Sequence, residues 1–338
     1  MASKKPRIMP FRLAPWFSAR VWGRRDLRPW YDSTGAVEPV GEAWLTGPQC
    51  RVETGALAGQ TLAEVATEAT EQLLGARGAG KGPLRNGPPG KDGSAEFPLL
   101  VKLLFPSEKL SVQVHPDDAM ARAMGDARGK TECWYVLEAG PGATIALGLR
   151  EGVTMEAVRA ALVGAHRAGP TMEDLLQWIP VSVGEMIFVD AGTVHAIGPG
   201  LVLLETQQTS DTTFRLYDYG RPRELHLEQG LRAMKTRTAA GKVKPVAMDG
   251  FARLIEQRYF VVDRYEIAAC GEAVVPSDAP GCLVAMDGTA VVVSEDGRPV
   301  DLPRGRAVVV PVGCGPVHVR GRAGAAFVHC FAPPRNGP

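Results

Sequence analysis

Apolar and polar positions alternate strictly through Leu110-Ser111-Val112-Gln113-Val114-His115. In an extended strand successive side chains point to opposite faces. The pattern therefore predicts a strand with Leu110, Val112 and Val114 on one side and Ser111, Gln113 and His115 on the other. The polar side carries no Lys, Arg, Asp or Glu, which separates it from ordinary solvated surface. It sets an oxygen donor and an imidazole two residues apart. That suits either a half-buried strand with a wet side or a strand offering donors to a metal or a polyhydroxylated ligand, and one short motif does not decide between them.

Short apolar runs follow at Ala143 to Leu149, Glu185 to Val189, Leu201 to Gln207, Ala290 to Ser294 and Ala307 to Val312. Abundant Gly and Pro (39 and 27 residues) punctuate them, as expected of a β-sandwich or barrel. Helical spacing is confined to a few stretches. Thr61 to Leu74 sets apolar residues against Glu64, Glu68 and Glu71. Pro116 to Met124 opens on Asp117 and Asp118, which suit a first turn. Thr154 to His166 and Thr171 to Trp178 each open on Thr with an acid close behind. The Gly- and Lys-rich stretch 76–94 has too little apolar surface to pack and is expected to be a long mobile loop; it lacks a Walker pattern.

One turn is echoed. Gly184, five residues, then Asp190-Ala191-Gly192-Thr193-Val194-His195 resembles Gly305, five residues, then Pro311-Val312-Gly313, with Pro316 at the histidine position. The last third of the chain is thus expected to hold a second copy of the same β unit without its ligand. The expected division is 1–240 for the functional unit and 241–338 for the copy.

The 338 residues carry a formal net charge of +1, which gives no electrostatic reason to expect nucleic acid or an anionic membrane. No apolar run reaches transmembrane length, and no apolar core of signal-peptide length follows the basic start, so a cytoplasmic protein is expected. The six cysteines form no Cys-x-x-Cys pair and are expected to be reduced and buried.

Candidate metal donors come from separate segments: Gln113 and His115, Glu132 in a β-branched and aromatic run, and His195 after the Gly192 turn. Two imidazoles and a carboxylate suit Zn²⁺, and also Fe(II), Mn²⁺ or Co²⁺. His166 ends a helical stretch, where a cation is favourable, and His318 and His329 sit in apolar strands without a donor nearby in sequence; these three and His226 are expected to be structural or superficial. Lys102 interrupts the apolar run Leu100 to Leu104, which favours an ammonium reaching a buried anion, whereas Lys109 is expected to be exposed. Lys130 lies two residues before Glu132, on the same face of a strand.

Taken in order, residues 102–117 (KLLFPSEKLSVQVHPD), Gly-Lys-Thr-Glu at 129–132, Gly-Thr-Val-His-Ala-Ile at 192–197 and the segment Glu205 to Arg221 resemble the type I phosphomannose isomerases. The run from Gln208 to Arg221 is especially close to the shorter bacterial branch, and the segments 20–24 and 40–44 fit as well. The resemblance covers about residues 10 to 235 well and the rest loosely. It implies a mainly β cupin jelly-roll barrel with helical insertions and a degenerate second barrel at the C-terminus. It implies a single Zn²⁺ per chain on Gln113, His115, Glu132 and His195, a catalytic Arg215, and Lys102, Ser111, Lys130 and Glu205 in the substrate cavity. Asp190 departs from the general cupin pattern, which has Pro there.

The implied reaction interconverts mannose 6-phosphate and fructose 6-phosphate through an enediol(ate). Arg215 stays protonated and so serves to stabilise negative charge or orient the phosphate. Glu205, Lys130 and a water on the metal are the alternatives for the proton carrier. A small sugar phosphate is the expected partner, with no nucleic acid or membrane, in a monomer or weak homo-oligomer. Two other classes compete: a sugar-phosphate-binding cupin without turnover, and an iron cupin oxygenase, which would leave the cations without a role.

Overall fold

A computed structural model of the chain describes residues 7–75, 94–163 and 170–333. The expected loop lies outside these residues apart from Ser94, and so does His166. The architecture is mainly antiparallel β, in three sheets. The five-stranded sheet runs in the order β12 (Phe214–Tyr217), β5 (Val112–Val114), β10 (His195–Ile197), β7 (Thr144–Leu149) and β8 (Leu176–Pro180). The seven-stranded sheet runs β13 (Gly241–Val243), β9 (Met186–Val189), β6 (Glu132–Ala139), β11 (Leu201–Gln208), β4 (Leu99–Leu104), β3 (Val40–Trp44) and β2 (Trp16–Arg24). The third sheet follows β1 (Phe11–Leu13), β20 (Ala307–Val310), β18 (Gly281–Val293), β21 (Val317–Phe331), β16 (Val261–Ile267), β15 (Ala252–Glu256) and β14 (Val246–Ala247). Off that path, β17 (Glu272–Val275) pairs with β21 and β19 (Pro299–Pro303) with β18.

Shared apolar clusters give the order of these layers. Leu110, Trp134, Val136, Ile145, Ile187, Ile197 and Leu203 pack between the five- and seven-stranded sheets. Val101, Cys133, Tyr135 and Leu204, from the other face of the seven-stranded sheet, pack on Val262, Cys282, Val284 and Cys330 of the third. A sheet covered on both faces has no wet side, so its strands lose alternation. That accounts for β11, buried at all eight positions, and β4, buried at all six with Lys102 among them. Each fully buried Leu or Val there stabilises the fold by roughly 1.5–3 kcal/mol.

Strand exchange crosses residue 240 in both directions. Phe11 to Leu13 pair with Ala307 to Val309, and Gly241 to Val243 pair with Met186 to Phe188.

Local signals are realised with three differences, the first a break at Ala69 that divides Thr61 to Leu74 into two helices, Leu62–Glu68 and Thr70–Leu74. Thr61 caps Leu62–Glu68 in a reciprocal box with Glu64, and Asp117 caps Asp118–Ala123. The helix beginning at Thr154 is described over Met155–Val163. Thr171 to Trp178, expected to be helical, is a short 3-10 turn at Met172–Leu175 that gives way to β8. Trp178 and Ile179 pair with Ala146 and Ile145, so cross-strand packing of aromatic and β-branched residues overrides the helical spacing. Leu110 also departs from the expected alternation: it precedes β5 and joins the cluster between the sheets, whereas Val112 and Val114 pack on the outer side. None of the six cysteines is bonded to another; Cys270 is exposed and the rest are buried. Among the described residues no helix is long and apolar enough to cross a membrane.

Candidate active site

Register brings the site together. Gln113, at the middle of β5, lies opposite His195 on one side and Arg215 on the other. Its neighbours Val112 and Val114 face outward, so Gln113 faces the seven-stranded sheet. On that sheet a row of directly opposed residues runs Trp134, Glu205, Lys102 and Trp44 across β6, β11, β4 and β3. Glu132 lies two residues before Trp134 on the same face.

His115, Glu132 and His195 form a buried cluster whose ligand atoms lie within 4.8 Å of one another. Glu132 Oε1 is 3.6 Å from His115 Nε2 and 3.5 Å from His195 Nε2, and it is buried without a hydrogen-bond partner. His115 Nδ1 lies 3.0 Å from the Thr212 carbonyl and His195 Nδ1 lies 2.9 Å from that of Thr193. Carbonyls only accept, so in each neutral ring Nδ1 carries the proton and Nε2 presents its lone pair toward Glu132. Burial, with the nearby positive charges, lowers both imidazole pKa values, that of His195 to about 3, which keeps the rings in the neutral form that binds metal. Burial alone would raise the Glu132 pKa; the Lys130 ammonium, the largest opposing cause, overcomes it and holds the carboxyl well below its ordinary value. An orphaned carboxylate oxygen facing two fixed Nε2 atoms is a donor set that fits a divalent metal ion. The Gln113 amide nitrogen lies 3.2 Å from His195 Nε2, and the Ser111 hydroxyl donates to Gln113 Oε1 at 3.2 Å.

Next to this cluster acids and lysines alternate. The Lys130 ammonium binds Glu132, lies 3.1 Å from His115 Nε2 and 3.8 Å from Glu205. Glu205 accepts a hydrogen bond from Trp134 Nε1 at 3.1 Å and lies 3.6 Å from Lys102. Lys102 also meets Asp211 at 2.9 Å and Glu42 at 3.9 Å, with its ammonium 4.5 Å from the centre of the Trp44 ring. Burial pushes the Glu205 pKa up to about 7, against the pull of Lys130 and Lys102. Burial would lower the Lys102 pKa, but Glu42, Asp211 and Glu205 raise it overall.

These groups border a cavity of about 440 Å³ that also touches Arg20, Ser111, Gln113, Arg215 and Arg223. Arg215 is half-buried, and its guanidinium donates to the Glu224 carbonyl at 2.7 Å. Every site residue expected from the sequence is therefore at one place. Arg20, Glu42, Trp44 and Asp211 belong there too and were not singled out. The available signal was a charge inside a fully buried strand, which Glu42 shares with Lys102. Of the other described histidines, His226 lies 3.9 Å from Glu224 and His318 pairs with Glu272 at 2.6 Å, while His329 is buried in the third sheet. Asp190 accepts the Thr193 hydroxyl at 2.8 Å and so braces the turn before His195. Lys109 is half-exposed and pairs with Glu173.

Known proteins resemble the chain in sequence and in fold. Residues 11–147 match the family described as phosphomannose isomerase type I, catalytic domain. The mannose-6-phosphate isomerase of Streptococcus mutans is 33% identical over 290 residues, 82% of this chain and 84% of that protein. The mannose-6-phosphate isomerase ManA of Bacillus subtilis is 30% identical over 341 residues, 95% of this chain and 98% of that protein. The crystal structure of the Bacillus subtilis mannose 6-phosphate isomerase superimposes with a TM-score of 0.80 at 28% identity, covering 96% of this chain and all of that one.

Proposed function

The chain belongs to the type I phosphomannose isomerases, and we propose that it interconverts mannose 6-phosphate and fructose 6-phosphate by proton transfer through an enediol(ate), with Zn²⁺ held by Gln113, His115, Glu132 and His195. The activity follows from the family. The observation that supports the metal is the orphaned Glu132 oxygen between two imidazoles whose tautomers are fixed by backbone carbonyls. A bound Zn²⁺ would supply Lewis-acid stabilisation of negative charge on the sugar oxygens.

The remaining chemistry falls to this chain's side chains. Glu205 is the proton carrier: near neutral pH its carboxylate can take a carbon-bound proton and return it to the neighbouring carbon. Lys130 links Glu205 to Glu132 and keeps the two acids from repelling each other. Arg215 remains a cation and stabilises the developing enediolate through charge-assisted hydrogen bonds. Ser111 and Lys102 border the cavity that would take the sugar. Residues 241–338 act as support, since every residue bordering the cavity precedes them.

The test is a coupled assay of mannose 6-phosphate turnover before and after chelation. Activity should fall on chelation and return with Zn²⁺. Undiminished turnover in fully chelated protein would remove the metal from the mechanism.

A further inference from the structure

The phosphate of a hexose 6-phosphate is a dianion and needs cations with charge to spare. Five border the cavity: Arg20, Lys102, Lys130, Arg215 and Arg223. Three of them are committed elsewhere. Lys102 is surrounded by Asp211, Glu205 and Glu42 at 2.9, 3.6 and 3.9 Å, so a phosphate placed there would meet three carboxylates. Lys130 is held between Glu132 and Glu205. Arg223 gives Nε and Nη2 to Asp218, both at 2.6 Å.

Arg20 and Arg215 remain. Among the described residues no carboxylate lies within ion-pair distance of Arg215; its guanidinium donates to a carbonyl. Arg20 has a single carboxylate partner, Glu42 at 2.9 Å through Nη2, and its side chain is 30% exposed. Glu42 is itself fixed by Trp44 Nε1 at 2.7 Å, so Arg20 is held in place. The stem of Arg20 lies across the neighbouring strand at Gly41, where a Cβ would come within 2.5 Å of Arg20 Cβ. The two guanidiniums feel each other: burial first, then the charges of Arg223 and Arg20, lower the Arg215 pKa. Like charges held along one wall are an unfavourable arrangement that a bound anion offsets.

We propose that Arg20 clamps the phosphate and sets the preference for a phosphorylated sugar, leaving Arg215 to face the reacting end, and that Lys102 instead positions Glu42, Glu205 and Asp211. The substrate identity rests on the isomerase reading, whereas the clamp requires only an anion. The test compares the zinc-loaded parent with Arg20→Met and Arg20→Lys, using steady-state kinetics with mannose 6-phosphate and calorimetric titration with inorganic phosphate. Arg20→Met should raise KM and weaken phosphate binding about 10- to 100-fold, the range for a lost charge-assisted hydrogen bond, while kcat changes far less. Arg20→Lys should fall between Arg20→Met and the parent. Parent-like KM and phosphate affinity in a folded Arg20→Met protein would overturn the clamp, as would an Arg20→Lys protein indistinguishable from the parent. A parent that binds phosphate through Arg20 yet never isomerises would overturn the isomerase reading and leave the clamp standing.

Discussion

His195 and His329 are equally deep, 0% and 1% exposed, in strands of different sheets, yet their surroundings have little in common. His195 has its Nδ1 tied to a backbone carbonyl and its Nε2 facing Glu132. His329 has no hydrogen-bond partner on either nitrogen; it stacks on Phe331 at 4.6 Å. The nearest acid in register, Asp263, is taken by Arg253 at 2.9 and 3.0 Å. The echoed turns differ in the same way. Gly192 and Gly313 both have positive φ, 93° and 65°, and both follow a buried strand. One turn leads to an imidazole and the other to an exposed Pro316. Depth and turn geometry are thus shared; what marks the metal-competent region is a fixed tautomer with a carboxylate oxygen in reach that has no hydrogen-bond partner. Burial lowers the pKa of both histidines to about 3, so a strong shift does not distinguish a ligand either.

The comparison can be sharpened by substitutions on each side. The largest effect on turnover, with metal retained, belongs to Glu205→Gln: kcat/KM should fall about 10²- to 10⁴-fold, as for removal of a general acid–base group. The parent's kcat/KM should rise with pH and level off above about pH 7, where the Glu205 carboxyl is ionised, and Glu205→Gln should lose that limb. Arg215→Ala comes next, with a loss of about 10²- to 10³-fold in kcat, as for removal of one preorganised donor, and unchanged metal content. The smallest effect lies in the third sheet and concerns stability alone. His329 is neutral when folded, with a pKa of about 3 against an ordinary 6.5, so the unfolded chain takes up a proton first as pH falls. Its contribution is complete above about pH 6.5 and declines steadily toward pH 3, by about 2 kcal/mol at pH 5. His329→Leu should lack that decline, read as a smaller loss of urea-unfolding free energy between pH 7 and pH 5, with turnover like the parent's.

Much of the site was legible because its chemistry is written in short local patterns. Alternation through Val112 to His115 placed Gln113 and His115 on one face, and a lysine inside an apolar run marked Lys102 as a buried cation. What local pattern could not give is which strands become neighbours. Arg20 and Glu42 reach the site only because β2 and β3 continue the row that carries Lys102 and Glu205. The resemblance assigned Lys102 to substrate; the three acids around it, which no reading of the Leu100 to Leu104 run reveals, change what it has left to offer. The same non-local pairing drew Leu176 to Trp178, the end of the stretch with helical spacing, into a strand. The echoed turn was visible in sequence, but the difference between its two settings depends on residues as distant as Glu132 and Arg253.

The most direct measurement is metal content by elemental analysis of purified parent, His195→Ala and His329→Leu proteins. Near-stoichiometric zinc, or a close substitute, is expected in the parent and in His329→Leu, with almost none in His195→Ala. Retention of metal by His195→Ala, or its loss from a folded His329→Leu, would contradict the assignment of the metal to the first region alone.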